Sequence, residues 1–440
     1  MANVGVIGLG RIGLPLALLL AKTSHRVMAV DADPCIIRKI RNNTLNWSKS
    51  EKILLEQLLD KQLFITEDLR AVLSEAEVIF IAIGTGISSD GTPELSNLFR
   101  LVEKLCADPD GVRGKTFVLK LTLPVGTTRK IASFIEEKTG LQCGRDFFLA
   151  FCPERVLGDK AISEMASLPK IIGGMDKVSS EKVAHIYETI GGKLIIVDRP
   201  ETAELIKLAD NAYRQTLFAF ANDLALLVEQ YGIDAYELIR AANDSYPRNN
   251  IPLPSAGVSG YCLTKDPLYL EVAFKEIALK RCFPSVWFWA RKANDYMPVH
   301  VVDLLKQKLL KVGKNTKDSN ILVCGITYKE NTDDIRFSHG LEIATLLRRE
   351  GAHVFVWDPH VHERDLEFQM IEDPQDVLEI LDALVFTVKH DEFVGLNDND
   401  VIISMLHKMR THIIVDGWGI FQRLVERKDI HYVGIGIVKQ

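Results

Sequence analysis

Two rhythms alternate along the chain. Short apolar runs closed by glycine, aspartate or a turn cluster read as buried strands, and between most of them apolar residues recur at the three- and four-residue spacings of amphipathic helices. Val4-Gly-Val-Ile-Gly8 is the first such strand. Leu9-Gly-Arg-Ile-Gly13 follows, then an alanine- and leucine-rich helix to about Lys22, then the strand Arg26–Asp31. Further strands are predicted at Val78–Ile83, Thr116–Leu121, Phe147–Phe151 and Lys193–Val197. Strands alternating with helices imply a parallel, doubly wound sheet, and this domain is placed at residues 1–200.

The rhythm changes at Glu201. Thr202–Tyr231 contains no glycine or proline and keeps helical spacing throughout, so a helix of roughly 30 residues is predicted, long enough to bridge domains or to build a dimer interface. A second helical stretch, Pro284–Leu310, is expected to break or kink at Pro298, giving a helical domain over 201–312. From 313 to 440 the first rhythm returns, with strands at Asn320–Gly325, Ala352–Asp358, Ala383–Val388 and His412–Asp416 and a helix at Gly340–Glu350. The predicted fold class is α/β: two doubly wound Rossmann-like domains joined by a helical central domain with a long helix. A cleft between two such lobes is where a small ligand is expected.

Composition narrows the function classes. The 440 residues are 47% hydrophobic and 25% charged with a net charge of −6, an ordinary globular balance that offers no basic stripe for nucleic acid. No apolar run reaches the roughly 18 residues that span a bilayer, and the amino terminus lacks an export signal, so a cytoplasmic location without membrane contact is expected. Seven cysteines (Cys35, Cys106, Cys143, Cys152, Cys262, Cys282 and Cys324) form no C-x-x-C pair, so free thiols and no metal centre are expected.

Gly8, Gly10 and Gly13, with Ile12 between them, follow a strand and open a helix, and Asp31 ends the next strand. That context identifies a dinucleotide turn, with the Asp31 carboxylate accepting from ribose hydroxyls and repelling a 2′-phosphate; NAD is favoured over NADP. Thr85 and Thr122 fall at the carboxyl ends of later strands, either as hydrogen-bond donors to cofactor or substrate or as ordinary turn residues. Lys207, Asn211 and Arg214 share one face of the long helix, a solvated stripe or a site. Cys262 lies in Gly257-Val-Ser-Gly-Tyr-Cys-Leu-Thr-Lys-Asp266, where Gly257 and Gly260 free the backbone and Lys265 and Asp266 could tune a thiol or position water. Taken alone, Cys262 reads better as a buried structural residue.

Together these segments resemble the UDP-glucose/GDP-mannose dehydrogenase family, whose members oxidise the primary alcohol of a nucleotide sugar to a carboxylate. The resemblance rests on Gly8-x-Gly10-x-x-Gly13, Pro93-Glu-Leu-Ser96, Thr122-Leu-Pro-Val-Gly-Thr-Thr128, Pro153-Glu-Arg155, Thr202 through Asn211, Phe220-Ala-Asn222, the Cys262 segment and Asn331-Thr-Asp-Asp-Ile-Arg336. It implies a homodimer built on the long helix, a UDP-sugar substrate and two NAD per sugar. Cys262 would be the nucleophile that carries a thiohemiacetal and then a thioester. Lys207 would stabilise an oxyanion, Asn211 orient oxygen or water, Asp266 help water act as base, and Glu154 serve as base in thioester hydrolysis with Thr122 near that water. Substrate contacts are implied for Glu154, Arg155, Lys207, Asn211 and Arg214 on one side and Gly260, Lys329 and Arg336 on the other, with Arg248 reaching across the dimer.

Pro153-Glu-Arg155 and Pro247-Arg248 resemble the branch acting on UDP-N-acetylhexosamines, and Gly158 stands where the UDP-glucose branch has a second glutamate. The cysteine segment departs from the hexosamine branch: Ser259 and Tyr261 replace a glycine and a histidine, and Ser255-Ala256 replaces Gly-Pro, while Lys265-Asp266 resembles the UDP-glucose branch. The expectation is an enzyme that oxidises UDP-N-acetylmannosamine or UDP-N-acetylglucosamine for polysaccharide synthesis. UDP-glucose is the alternative within the class, and a non-catalytic nucleotide-sugar sensor the alternative outside it.

Overall fold

The computed structural model describes residues 2–45, 47–88, 91–156, 160–281, 283–362 and 366–437; Gly158 and Cys282 lie outside them. The chain forms two compact units, one of Met1–Asp210 with Val272–Lys275 and one of Asn211–Glu271 with Glu276–Gln440.

The first unit is built on β1 (Asn3–Ile7), β2 (Arg26–Val30), β3 (Leu63–Thr66), β4 (Val78–Ile81), the small antiparallel pair β5 (Gly86–Ile87) and β6 (Pro93–Glu94), then β7 (Thr116–Leu119), β8 (Phe148–Phe151), β9 (Lys170–Gly174) and β10 (Leu194–Val197). Eight of these make one sheet in the order β10-β9-β8-β7-β4-β1-β2-β3. Its strands are buried on both faces: Val4, Val6 and Phe80 pack with Leu16 and Leu18 of the helix Gly13–Lys22 on one side, while Ile7, Ile79 and Ile81 pack with Val72, Leu98 and Val102 on the other. That two-sided burial explains why the strands read as continuous apolar runs. One joint departs from the expected parallel pattern, for β8 and β9 run antiparallel. An antiparallel neighbour begins at the edge where its predecessor ends, so β9 starts at the carboxyl edge of β8, the edge from which Pro153-Glu-Arg155 leaves.

The second unit carries a six-stranded parallel sheet of β11 (Asn320–Cys324), β12 (His353–Trp357), β13 (Gln369–Met370), β14 (Ala383–Phe386), β15 (Ile413–Asp416) and β16 (His431–Gly434), in the order β13-β12-β11-β14-β15-β16. The period of two is visible in its core. Ile321, Val323, Val385 and Val415 face Met297, Val301 and Leu305, and Leu322, Cys324, Leu384 and Phe386 face Phe393, Leu406 and Phe421. Strand order reverses between β11 and β14, the point at which such sheets open a crevice at their carboxyl ends.

The long helix spans Pro200–Glu229, and the helices Ala235–Asn243, Tyr261–Arg281 and Val286–Lys311 follow. The last runs through Pro298 as a single element rather than breaking there. Proline cannot donate to the carbonyl of Asn294 one turn earlier. That carbonyl is packed against Gly257, where an added Cβ would lie 2.8 Å from it. The Asn294 side chain is buried and bonded to Asn222 (3.0 Å) and to the carbonyl of Gln215 (3.1 Å), which holds the helix through the missing bond. Among the described residues, no helix is long and apolar enough to cross a membrane.

Candidate active site

The dinucleotide turn has the geometry its glycines require. Gly8 adopts φ +93°, and a Cβ on Gly13 would sit 1.7 Å from the Gly8 carbonyl oxygen, so strand end and helix start can approach this closely only without side chains. Over Gly10 an added Cβ would meet nothing within 4 Å. The helix Gly13–Lys22 starts at Ile12 with no side-chain cap and no acidic residue in its first turn, an end at which a pyrophosphate is favourable. Asp31 is fixed by accepting from the N–H of Leu9 (2.6 Å) and of Asp33 (2.8 Å). These residues fit an adenine dinucleotide with a free ribose diol.

Thr85 is buried, and its hydroxyl donates to the carbonyl of Thr122 at 2.9 Å. Thr85 therefore braces the Thr122 turn, with its hydroxyl proton committed to that carbonyl. The same turn continues through Gly126, whose N–H donates to Glu204 of the long helix at 2.5 Å. Glu204, fully buried, also accepts from the N–H (2.8 Å) and hydroxyl (2.6 Å) of Thr128 at the start of the helix Thr127–Thr139.

Glu154, just beyond β8, pairs with Lys120, just beyond β7: Nζ lies 2.7 Å from Oε2, and the two side chains are 4% and 13% exposed. Lys120 also donates to the Tyr187 hydroxyl at 3.1 Å, and Glu154 Oε1 accepts from the N–H groups of Arg155 (2.8 Å) and Val156 (3.2 Å). Burial pushes the Glu154 carboxyl up, but the Lys120 ammonium and its hydrogen bond more than offset that and hold it below the usual range. Burial likewise pulls Lys120 down, and Glu154 and Tyr187 more than reverse it. The neighbouring Cys152 thiol is pushed up to about 12 by burial, so it is no rival nucleophile. Arg155 is held by Asp210 (3.2 Å) and the Pro169 carbonyl (2.9 Å).

Along the long helix, Lys207 is half-buried, Asn211 buried and Arg214 exposed, so the predicted polar face is not uniformly solvated. In the second unit the Asn211 amide donates to Asp266 Oδ2 at 2.6 Å, and Asp266 is fully buried. Lys265 lies beside it, 3.7 Å from Oδ1, with its ammonium between the rings of Tyr261 (4.7 Å) and Tyr269 (4.9 Å).

Cys262 is not the buried residue that its local sequence alone suggests. It occupies the first turn of the helix Tyr261–Arg281, and it is exposed. Helix N–H groups favour negative charge at that end. Gly257 (φ +104°) and Gly260 (φ +90°) take the left-handed backbone, whereas Ser259 does not, so a serine is tolerated there; its hydroxyl accepts from the N–H of His339 at 3.2 Å. A Cβ on Gly260 would come within 2.3 Å of the Tyr328 ring, and the Gly260 N–H donates to the carbonyl of Phe337 at 3.2 Å. The segment carrying Lys329 and Arg336 thus abuts the residues just before the thiol. Arg336 grips Asp334 through Nε (2.9 Å) and Nη2 (2.8 Å) and lies 5.4 Å from the Tyr261 ring, with its side chain 54% exposed. Arg248 stands on an exposed loop, bonded to the Tyr246 hydroxyl at 3.4 Å.

Lys120, Tyr187, Glu204 and His339 escaped the sequence reading. A lysine within the apolar run Thr116-Phe-Val-Leu-Lys-Leu121 was the signal for the first, since a buried cation needs a partner. The six described cysteines are free thiols, as expected.

Residues 2–191 match the NAD binding domain, 201–296 the central domain and 322–423 the UDP binding domain of the UDP-glucose/GDP-mannose dehydrogenase family. The chain belongs to that family. A UDP-N-acetyl-D-mannosamine dehydrogenase of Pyrococcus horikoshii is 34% identical over 423 residues, 96% of each chain. The solved structure of a P. horikoshii UDP-D-ManNAc dehydrogenase superposes with a TM-score of 0.89 at 32% identity, covering 99% of both chains. A UDP-glucose dehydrogenase structure from Pyrobaculum islandicum gives 0.83 at 26% identity over 100% of this chain and 98% of that one. The family membership and the dinucleotide turn together make this chain an NAD-dependent nucleotide-sugar dehydrogenase.

Proposed function

We propose that the chain oxidises C6 of a UDP-N-acetylhexosamine, UDP-N-acetylmannosamine or UDP-N-acetylglucosamine, from alcohol to carboxylate through a covalent intermediate on Cys262. The observation that carries this reading is the exposed thiol at a helix start, on the same helix as a buried Asp266 held by Asn211. NAD, when bound, supplies the hydride acceptor for each of two oxidations. The substrate alcohol first loses a hydride from C6 and a proton from its oxygen to become the aldehyde. Cys262 Sγ then bonds to that carbonyl carbon, and the resulting alkoxide takes a proton to form a thiohemiacetal. Loss of a second hydride and proton leaves the thioester, and water cleaves the C–S bond to give the acid and return the thiol. Lys207 neutralises the oxyanions, Asn211 orients oxygen or water, and Glu154 and Asp266 handle protons, with Thr122 beside the hydrolytic water. Asp31 and the turn Gly8–Gly13 with Ile12 and Thr85 bind NAD; Arg155, Arg214, Gly260, Lys329 and Arg336 contact the UDP-sugar.

Residues 1–200 are assigned to the NAD-binding domain, 201–312 to the central domain and 313–440 to the UDP-sugar-binding domain. The functional form is a cytoplasmic homodimer in which Arg248 reaches the partner's sugar, and its product feeds polysaccharide synthesis. Support for the dimer comes from Tyr213, Phe220 and Leu227, which recur every seven residues on the long helix at 64%, 54% and 54% exposure. Support for the hexosamine comes from the Pyrococcus relative's substrate, and UDP-glucose stays the second reading because the Pyrobaculum fold is also close. The test is NADH formed per sugar consumed across a panel of UDP- and GDP-sugars. About two NADH per UDP-N-acetylhexosamine are expected, with complete turnover strongly depressed by Cys262→Ser. A ratio near one would sink the four-electron mechanism, and no NADH from any sugar would favour a sensor.

A further inference from the structure

At the carboxyl end of the second sheet, beside its switch point, His390 is fully buried and both of its ring nitrogens are committed. Nδ1 lies 2.9 Å from the N–H of Asn331 and can only accept there. Nε2 must then carry the proton, and it lies 3.1 Å from Asp358 Oδ2 and 3.1 Å from the Thr327 hydroxyl, which itself donates to the Lys329 carbonyl at 2.9 Å. Asp358, at the end of β12, also accepts from the N–H of Ile326 (2.7 Å) and Thr327 (3.2 Å). The Asn331 side-chain oxygen accepts from the N–H of Asp391, next to His390, at 3.1 Å. One imidazole therefore ties the ends of β12 and β14 to both flanks of Lys329. Asn331 sits at φ +54°, a strained backbone for a residue other than glycine, which those bonds hold in place.

His360, His390 and Glu392 bring one potential ligand atom each within 4.8 Å of one another. That set resembles a cation site, but a metal on either nitrogen of His390 would have to break the Asn331 or the Asp358 bond, so the arrangement is a pin and not a metal centre.

We propose that His390 is the positioning residue that sets the segment from Thr327 to Arg336 for the UDP moiety, and through Tyr328 the backbone just before Cys262. This rests on the reading that Lys329 and Arg336 contact the UDP-sugar. His390 touches neither substrate nor cofactor in this scheme; it acts through the amide of Asn331 and the carbonyl of Lys329.

Two half-mimics test it. His390→Asn keeps an acceptor near the position of Nδ1 and loses the Asp358 contact; His390→Gln keeps a donor near Nε2 and leaves the Asn331 N–H without its acceptor. UDP alone and NAD alone are titrated calorimetrically into the full-length proteins, and amide hydrogen exchange is followed by peptide. For His390→Gln, UDP affinity should fall about tenfold with NAD affinity within twofold of wild type, and faster exchange should be confined to 326–338; His390→Asn should fall closer to wild type. Wild-type UDP affinity and wild-type exchange at 326–338 in His390→Gln would overturn the proposal. So would equal losses in both variants with exchange raised across the whole second sheet, the pattern of a purely structural residue. Wild-type protein that binds no UDP would instead overturn the substrate reading, and the exchange pattern would still decide the pin.

Discussion

Replacing Lys120 by methionine keeps the side chain's length and removes its charge, leaving Glu154 buried with only the N–H groups of Arg155 and Val156 as partners. Removing one partner from a buried pair costs about 3–5 kcal/mol, whereas an exposed pair is worth about 0–1. The pH dependence should also change sign. In the native protein the Glu154 carboxyl is held below its ordinary value. It therefore contributes stability that is present above the unfolded value of about 4.3 and lost as pH falls through the lower folded one. In Lys120→Met burial is opposed only by the N–H groups of Arg155 and Val156 and the more distant Lys207 charge and raises the carboxyl, so the penalty is largest at high pH and shrinks as pH falls through the raised value. Because a chain of two units is unsuited to a single unfolding equilibrium, the readout is exchange protection of the amides of β7 and β8 at pH 8 and pH 5. The variant should lose more protection at pH 8, and Lys120→Met with Glu154→Gln should recover at least half of it. A loss below about 0.5 kcal/mol at pH 8, or one equal at both pH values, would refute the argument that this pair carries a mutual, buried charge.

His339 makes a second pH-dependent contribution, since burial and the Arg291 charge push it down to about 3. With an unfolded value near 6.5, the native state should lose stability as pH falls from 6.5 toward 3, at a slope of up to about 1.4 kcal/mol per pH unit. Exchange protection of the amides of β11 and β14, followed from pH 6.5 downward, should fall less steeply in His339→Asn than in the wild type, and parallel slopes would clear His339 of the effect. On the long helix, Phe220→Glu puts a charge in the middle of the exposed apolar stripe. Light scattering should then give a monomer with unchanged circular dichroism, and an undiminished dimer would place the interface elsewhere.

The two sheets were legible because their strands are covered on both faces, which turns them into uninterrupted apolar runs such as Ile321-Leu-Val-Cys324. β3 and β16 were not predicted, for edge strands are half-exposed and alternate: Leu63 and Ile65 are buried while Phe64 and Thr66 are not. β9 was hidden by its two glycines, Gly173 and Gly174, which read as a turn but admit the close approach of Pro200 and Ser180. The helix Tyr261–Arg281 was hidden for a related reason. Pro267 lies inside it and glycines precede it, and both are loop signals when read locally. For the candidate site, helical spacing brought out Asn211 and residue type suggested Asp266, while Cys262 was singled out only by the family resemblance. Spacing and residue type could not bring out Lys120 or His390, whose partners lie 34 and 59 residues away and are joined only by folding.

Glu204 gives the Thr122 turn a ruler. Its three bonds, to Gly126, to the Thr128 amide and to the Thr128 hydroxyl, span 2.5–2.8 Å. Sliding the long helix by one residue would move that carboxylate about 1.5 Å along its axis, and such a shift takes a hydrogen bond out of range. The turn that holds Thr122 is thus gauged from the same helix that carries Lys207 one turn further on. An insertion or deletion between Glu204 and Lys207 would change the angle between these two residues by about 100° per residue, while substitutions on the outer face of the helix would leave it untouched. The spacing Glu204-x-x-Lys207 is therefore a mechanical dimension of the site, set by helical pitch.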